Sequence, residues 1–569
     1  MINSKTLSRE LLEKQVFLQG WVQNIRKFKD KIFIDLRDYE GICQVVLEGE
    51  LMSIKITKES VISVIGIVKL RSSVNEKIKN GDLEILASKV EVISLAAELP
   101  FEIHDETNAN EDLRLEYRYL DLRRKVVHNK IVFRYKFLHQ LRQYLYENNF
   151  IEVETPILSK STPEGARSFL VPTRKQGHFF ALPQSPQLYK QLLMVSGFNR
   201  YFQIARVFRD EDLRNDRQYE FVQLDLEFSF PTIAMIQSEI EKIMVSVFNR
   251  FGISFDGTFE SMSFDNAIDQ YGTDKPDLRF KNLLIDASEL TNKDEFLFSG
   301  DTTKVVFLEN HLINKNDYKT LSETILQNQG NRLLYLHINN KEIDYYSFKT
   351  SPELIDRIES FVAKQNFETG TLFLVSDKYE NTCKALGALR VKIGQLFNLA
   401  DDSKYRFVWI VDWPLFETNS EGGFSAAHHP FTHPTSETRQ FLTSDPNKVR
   451  AQAYDLVLNG YELGSGSIRI VDQQLQKQIF EVIGLNDQQI ESQFGFLLKA
   501  FSYGAPPHGG FAIGLDRLLM ILTKSSSIRE VIPFPLNSKG QDLLFESPTA
   551  VQDSQLVDYG LKLNKKEGN

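Results

Sequence analysis

The chain has 569 residues, 42% of them hydrophobic and 25% charged, and its 67 Lys and Arg against 76 Asp and Glu leave a formal net charge of −9. That length is too great for one core and predicts several domains of an ordinary globular composition, while the acidic balance excludes a generally basic nucleic-acid coat, so a polynucleotide partner needs a confined basic surface. No apolar run approaches the roughly eighteen residues of a membrane span, and the start MINSKTLSRELLEK lacks the apolar stretch of a signal peptide, which predicts a cytoplasmic protein with no membrane partner. The only cysteines, Cys43 and Cys383, are too few for a disulfide framework or a thiolate zinc site and read as packing residues.

Residues 1–100 read as short strands separated by turn signals: VFLQGWV, KIFIDLRD, GICQVVL, VISVIGIVKL and DLEILASKVEVI. This pattern suits a small Greek-key barrel. In KIFIDLR the period of two places Ile32, Ile34 and Leu36 inward and turns Phe33, Asp35 and Arg37 outward. The same alternation puts Cys43, Val45 and Leu47 inside and Gln44 outside, with Arg26, Lys27, Lys29 and Lys31 clustered in the preceding turn. An outward aromatic beside amide and basic groups suits single-stranded nucleic acid. The competing reading is a ring that only covers a neighbouring loop.

Residues 101–127, ending in RLEYRYLDLRRK, form a charged connector without Pro or Gly, read as a structured hinge. Ile131, Leu138, Leu141 and Leu145 then recur at helical spacing until Asn148 and Asn149 end the pattern. In FIEVETPILSKSTPEGARSFLVP a strand reaching Pro156 must leave the ladder or lie at an edge, because proline donates no hydrogen bond. Pro163 and Gly165 mark the following STPEGAR segment as a mobile loop. In ALPQSPQLYKQLLM, Pro186 can open a helix that places Gln187 and Lys190 on one face.

The stretch YFQIARVFRDEDLRNDRQYEFVQLDLEFSF, residues 201–230, reads as an antiparallel hairpin. On its return strand Val222, Leu224, Leu226 and Phe228 share one face, leaving Phe221, Gln223, Asp225 and Glu227 on the other. Arg209 and Glu211 stand at the end of the outgoing strand, and Arg214 and Arg217 lie in the loop. Guanidinium forks match phosphate oxygens, an aromatic ring can carry a purine, and a carboxylate can hold an ammonium, so these residues are the equipment of a nucleotide site. A salt-bridge-laced, solvated hairpin is the alternative.

A helix over 232–251 follows, and residues 277–400 show new strand and helix patterns without nucleotide-type residues. Beyond YRFVWIVDWPLF, the adjacent His428 and His429 in FSAAHHPFT suit ligands, proton carriers or hydrogen-bond donors, and no spacing nearby supplies the further ligands of a metal site. AQAYDLVLNGYELGSGSIRI reads as a helix ending at Asn459 and Gly460, then a strand. Asp455 and Glu462 straddle that break and could share a Mg²⁺ held mainly by nucleotide phosphates. Finally GAPPHGGFAIGLDRLLMIL joins glycines, including Gly514, to an apolar strand and sets Arg517 at the start of an apolar helix, a place that favours phosphate.

The Pro156 segment, the wording ARVFRDEDLRNDRQYEFVQLDLE and the GLDR segment resemble, in chain order, the three motifs of class II aminoacyl-tRNA synthetases, and YGTDKPDLRF is close to bacterial aspartyl-tRNA synthetases. No Rossmann or P-loop glycine pattern competes. The resemblance covers nearly the whole chain and places it in the aspartyl, asparaginyl and lysyl subgroup. It implies an N-terminal OB-fold β-barrel that binds the anticodon (1–100), a hinge (101–127), and an α+β catalytic domain built on a six- or seven-stranded antiparallel sheet (128–276 and 401–569). An α+β domain of bacterial type is expected as the insertion, 277–400.

The activity so implied is ATP-dependent ligation of L-aspartate to tRNA through an aspartyl adenylate, with ATP as substrate, Mg²⁺ as cofactor, and a homodimer built through the Pro156 motif. Within this reading Arg209, Glu462 and Arg517 are the catalytic residues. Glu164, Ser185, Gln187, Lys190, Arg209, Asp225, His428 and Arg469 hold aspartate, with His429 supportive. ATP meets Arg209, Asp210, Glu211, Arg217, Gln218, Phe221, Glu462, Gly514, Leu515, Asp516 and Arg517, and Asp455 and Glu462 hold the metal. Arg26, Phe33, Gln44 and Glu84 contact the anticodon. An asparaginyl or lysyl enzyme, or a nucleic-acid-binding paralogue without catalysis, is the alternative. The sequence departs from the family in the glycine-poor RKFKDKIF turn and in Ser465, where a glycine is usual.

Overall fold

The structure is a computed structural model describing residues 3–161, 165–291, 296–419 and 421–564. It divides into two compact units, Met1–Ala109 and Asn110–Asn569.

In the first unit the strands Gln15–Lys27, Lys31–Arg37, Ile42–Glu48, Val61–Leu70 and Leu83–Ser94 form a closed barrel in the order first, second, third, fifth, fourth. All pairings are antiparallel except that of the third with the fifth strand. The alternation read from the sequence sets the register: Ile32, Ile34, Leu36, Cys43, Val45 and Leu47 all enter the barrel core. Burial there pushes the Cys43 thiol up to about 12, so it stays protonated and packs as a small apolar group.

The second unit begins inside the expected hinge. Residues 110–124 are largely helical, in the segments Glu111–Glu116 and Arg118–Asp121, and their charges are spent internally. Buried Asp121 accepts from Arg118 Nη1 and Arg124 Nη1, each at 2.6 Å. Arg118 also donates to the carbonyls of Pro533 (2.8 Å), Arg529 (3.1 Å) and Ile532 (2.9 Å). The charges of the expected structured hinge thus neutralise one another in a helical strap.

The body of this unit is a sheet of eight strands, one more than the most expected, because short flanking strands join each edge. Its order is Phe259–Ser263, Phe407–Val411, Ala453–Leu458, Tyr461–Ile468, His508–Gly514, Glu220–Ser229, Arg200–Phe208 and Ile151–Glu152. The interior pairings are antiparallel and the two outermost are parallel. The two-residue strand ahead of Pro156 is an edge, as the proline requires. One face carries the helices Lys125–Glu147, Ile233–Arg250 and Leu515–Leu522 over a core that takes in Leu224, Leu226 and Phe228. The other face bears the charged positions of the same strands.

One expected element is different. Ala453–Leu458 is a strand, and Asn459 (φ 52°) with Gly460 (φ 84°) makes a two-residue hairpin turn into Tyr461–Ile468. Both central residues have positive φ, the requirement of a type I′ turn that Asn-Gly meets best. Every residue of Ala453–Leu458 is buried, so alternation is lost, and Asn-Gly was available to be read as a helix stop.

In sequence, between the sheet strands Phe259–Ser263 and Phe407–Val411, comes a separate five-stranded antiparallel sheet, in the order Leu284–Asp286, Thr302–Glu309, Gly370–Asp377, Leu334–Asn339, Glu342–Tyr346. The helices Lys315–Gln327 and Tyr379–Leu396 cover one face and Pro352–Gln365 the other. Both faces are apolar, hence the near-continuous hydrophobic run of Gly370–Asp377.

Candidate active site

A cleft of about 580 Å³ opens on the uncovered face of the eight-stranded sheet. Its floor is the return strand of the 201–230 hairpin, its neighbour His508–Gly514 and, beyond that, Tyr461–Ile468.

The deep end is a closed set of charges. Lys190, from the first turn of the helix Gln187–Val195, places Nζ 3.0 Å from Asp225 Oδ1 and 3.3 Å from Glu227 Oε2. Arg469 grips Glu227 with two nitrogens, at 3.0 and 3.2 Å, and donates to Ser467 Oγ at 2.6 Å. All four charged side chains are at most 3% exposed, so little water screens them. Burial alone would raise the Glu227 carboxyl, but Arg469 and Lys190 outweigh it and hold its pKa below the usual carboxylate value. Gly510 makes this packing possible: a Cβ there would lie 1.9 Å from Glu227 Oε2. Arg469 Nη1 also bonds His429 Nε2. An arginine can only donate, so Nε2 accepts; Nδ1 faces the Phe431 N–H at 3.3 Å and Thr432 Oγ1 at 3.4 Å. Burial first, then Arg469, drives the His429 pKa well below 6.5 and keeps the ring neutral.

Its neighbour behaves oppositely. His428 Nε2 is 3.0 Å from Asp455 Oδ1, and Trp413 packs at right angles to the ring at 4.7 Å. Burial disfavours a charged His428, but Asp455 overcomes it and raises the pKa. His428 Nδ1 is buried and has no hydrogen-bond partner among the described residues.

The outer end is wetter. The Arg209 guanidinium lies over the Phe221 ring, 5.2 Å from its centroid. Arg217 Nη1 meets Glu211 Oε2 at 2.8 Å, and Arg517 Nη2 meets Asp216 Oδ2 at 3.0 Å. Lys275 Nζ stands 3.2 Å from Glu462 Oε2 and 3.3 Å from Asp274 Oδ2. Gln218 uses Oε1 to accept from the Leu536 N–H at 3.1 Å, while its buried Nε2 has no partner among the described residues. Guanidinium, amide and aromatic groups thus face one volume large enough for a nucleotide beside a small zwitterion.

Ser185, Gln187, Lys190, Asp225, His428 and Arg469 all line this cleft, as do Arg209, Glu211, Arg217, Gln218, Phe221, Asp455, Glu462, Gly514, Asp516 and Arg517. Glu164 lies outside the described residues. Two expected nucleotide residues do not line it. Leu515 is 1% exposed in the hydrophobic core, because the helix it begins turns that position toward the sheet. Asp210 instead pairs its backbone N–H with the Arg167 carbonyl at 3.1 Å. Asp516 reaches the cleft wall with a committed carboxylate: Oδ2 accepts the Val222 N–H at 2.7 Å and Oδ1 holds Arg134. Sequence reasoning gave no role to Glu227 or Lys275. Glu227 was legible from its place two residues beyond Asp225 on the same strand face.

On the barrel, the four anticodon candidates converge. Arg26 stands opposite Phe33 and Gln44 opposite Glu84. Arg26 Nη2 donates to Asp35 Oδ1 (2.9 Å) and Gln44 Oε1 (3.1 Å), and Gln44 Nε2 donates to Glu84 Oε2 (2.7 Å). Gln44 was expected to be open, but it is 4% exposed because these partners close over it. Phe33 stays partly exposed, edge-on to Phe28 at 5.5 Å.

The comparisons agree with this architecture. The aspartate--tRNA ligase of Malacoplasma penetrans is 47% identical over 98% of this chain and 98% of its own length. The aspartate--tRNA(Asp/Asn) ligase of Geobacillus sp. is 43% identical over 99% and 98%. Asparaginyl-tRNA synthetase from Pyrococcus horikoshii, solved with asparaginyl-adenylate, shares the fold with a TM-score of 0.59 at 21% identity, covering 94% of this chain and 97% of that one. The family model for an OB-fold nucleic acid binding domain matches residues 16–93, within the barrel unit. The model for tRNA synthetases class II (D, K and N) matches residues 110–538, and with the cleft and sheet described above it shows that the chain belongs to that family.

Proposed function

We propose that this protein ligates L-aspartate to tRNA in two steps at the expense of ATP. The observation that carries the choice of amino acid is the pair of buried cations, Lys190 and Arg469, at the closed end of a cleft whose mouth is built for a nucleotide. The near-full-length likeness to aspartate ligases supports it. A lysine side chain would meet repulsion there, and an asparagine amide would forgo a charge-assisted bond. Arg209, Glu462 and Arg517 are all present, against a binding-only paralogue.

In this reading Asp225 and Gln187 hold the substrate ammonium and Lys190 and Arg469 its side-chain carboxylate. Ser185 and His428 line the walls. The aspartate α-carboxylate attacks the α-phosphorus of ATP and pyrophosphate leaves, a displacement that needs alignment and charge neutralisation and no protein nucleophile. Arg209 neutralises the α-phosphate, Phe221 and Arg517 stack on the adenine, and Arg217 takes the γ-phosphate. Asp455 and Glu462 offer two hard oxygen donors on adjoining strands, a set that fits a Mg²⁺ completed by phosphates, and the ion would supply further neutralisation. The terminal ribose hydroxyl of tRNA then displaces AMP.

The barrel reads the anticodon through Phe33, Arg26, Gln44 and Glu84. A homodimer forms along the Pro156 edge, and the protein works in the cytoplasm. Aspartate-dependent ATP–pyrophosphate exchange tests the first step; exchange driven by asparagine or lysine in its place would overturn the assignment. Charging purified aspartate and asparagine tRNAs side by side settles whether one or both are substrates.

A further inference from the structure

Lys275 has no role in the account above. It belongs to the segment Gly272–Asn282, which runs between the cleft and the inserted five-stranded domain. Its ammonium lines the cleft and is shared between Glu462 and Asp274, on the same wall as Arg517, whose Nη1 bonds the Glu462 carbonyl. This position is supported from behind. Arg390, on the inserted domain's helix Tyr379–Leu396, is fully buried and donates to the carbonyls of Asp277 (2.8 Å), Phe280 (2.6 Å) and Asn282 (2.9 Å). Its guanidinium also stacks on Phe280, 4.0 Å from the centroid. Gly272 meets Gly387 of that helix so closely that a Cβ on either would fall within 2.9 Å of the other's backbone. Three carbonyls and a glycine contact thus fix the segment, while the lysine tip rests on exchangeable carboxylates.

We infer that Lys275 is a polyphosphate-binding residue of the nucleotide site, held on Glu462 until ATP enters and then transferred to the β- and γ-phosphate oxygens, with the inserted domain acting through Arg390 to position it. This inference rests on the ATP-using function proposed above. An ammonium on Glu462 Oε2 competes with a metal for that carboxylate, and a polyphosphate offers the ammonium an equivalent anionic partner. The exchange conserves charge pairing at each step. AMP lacks the β- and γ-phosphates, so it offers Lys275 nothing.

The experiment measures ATP and AMP binding by calorimetry to the full-length protein and to Lys275→Met, Lys275→Arg and Arg390→Met, with melting curves to check folding. Lys275→Met is expected to weaken ATP roughly ten- to hundred-fold, the loss of one charge-assisted contact, and AMP less than about two-fold. Lys275→Arg should restore most of the ATP affinity. Arg390→Met should shift ATP in the same direction as Lys275→Met while leaving AMP unchanged. Unchanged ATP binding in a folded Lys275→Met protein, or equal losses for ATP and AMP, would overturn the inference. Failure of the unaltered protein to bind ATP at all would instead sink the proposed function.

Discussion

The two ends of the cleft both gather charges of both signs and treat them differently. At the deep end Lys190, Asp225, Glu227 and Arg469 are dry and locked together. At the mouth the side chains of Arg217 and Glu211 are 39% and 27% exposed, and those of Arg517 and Asp216 are 21% and 28% exposed. Removing one member of a buried pair strands an uncompensated charge and costs about 3–5 kcal/mol, whereas a solvated pair contributes at most about 1 kcal/mol. The deep end is therefore built to recognise one shape and charge at a cost in tolerance. The mouth can exchange partners, as a site that binds ATP and releases pyrophosphate must.

The sharpest way to break this contrast is Arg469→Leu beside Lys190→Met. Each should abolish most aspartate-dependent pyrophosphate exchange. Arg469→Leu, which leaves Glu227 buried with one cation, should also lower stability by about 3 kcal/mol or more in denaturant melts. ATP affinity should survive in both; equal loss of ATP binding would show that the two ends are not separate.

Phe33→Ala moves the comparison to the other unit. Pyrophosphate exchange should be untouched, while tRNA charging efficiency falls by about 1–3 kcal/mol, or roughly five- to hundred-fold, through loss of a stacking surface. A barrel that unfolds without a specific tRNA defect would make the ring a packing residue.

The adjacent histidines test the dividing line within the cleft. His429 has a folded pKa pushed below 6.5, so its favourable neutral form is challenged as pH falls below 6.5. Relative to His429→Gln, the unaltered protein should lose up to about 1 kcal/mol between pH 7.5 and 5.5. His428 has its folded pKa raised, so its contribution is complete below 6.5 and fades as pH rises through the folded value. Relative to His428→Gln, the unaltered protein should lose stability from pH 6 to 8.5. Urea titrations across pH check both signs; parallel slopes would erase the distinction between the two rings. The smallest effect is expected of Asp216→Asn, with a change of stability within about 0.5 kcal/mol and a several-fold rise in the KM for ATP as Arg517 loses its anchor.

Sequence periodicity carried most of this architecture where one face of a strand is wet. Ile32, Ile34 and Leu36 announced the barrel, and Val222 through Phe228 announced which side of the hairpin faces the cleft. It failed at Ala453–Leu458, where both faces are buried and no period survives. The site was legible where several polar groups crowd one short motif, as from Arg209 to Phe221. Lys275 was not, since a lysine in a loop acquires meaning only from partners far along the chain. Gln44 shows the converse: alternation gave its direction but not the arginine and glutamate that cover it.

The strand Glu220–Ser229 finds its second neighbour, His508–Gly514, only near the end of the chain. During synthesis it therefore waits as an unpaired apolar edge, at ordinary elongation rates for roughly 15–60 s, while the inserted sheet, whose strands are contiguous in sequence, can close on its own. Ribosome-bound chains halted before residue 508 should bind chaperones that cover exposed strands, and once the chain through Arg517 has emerged, the last strand of the floor and the last arginine of the cleft become available almost together.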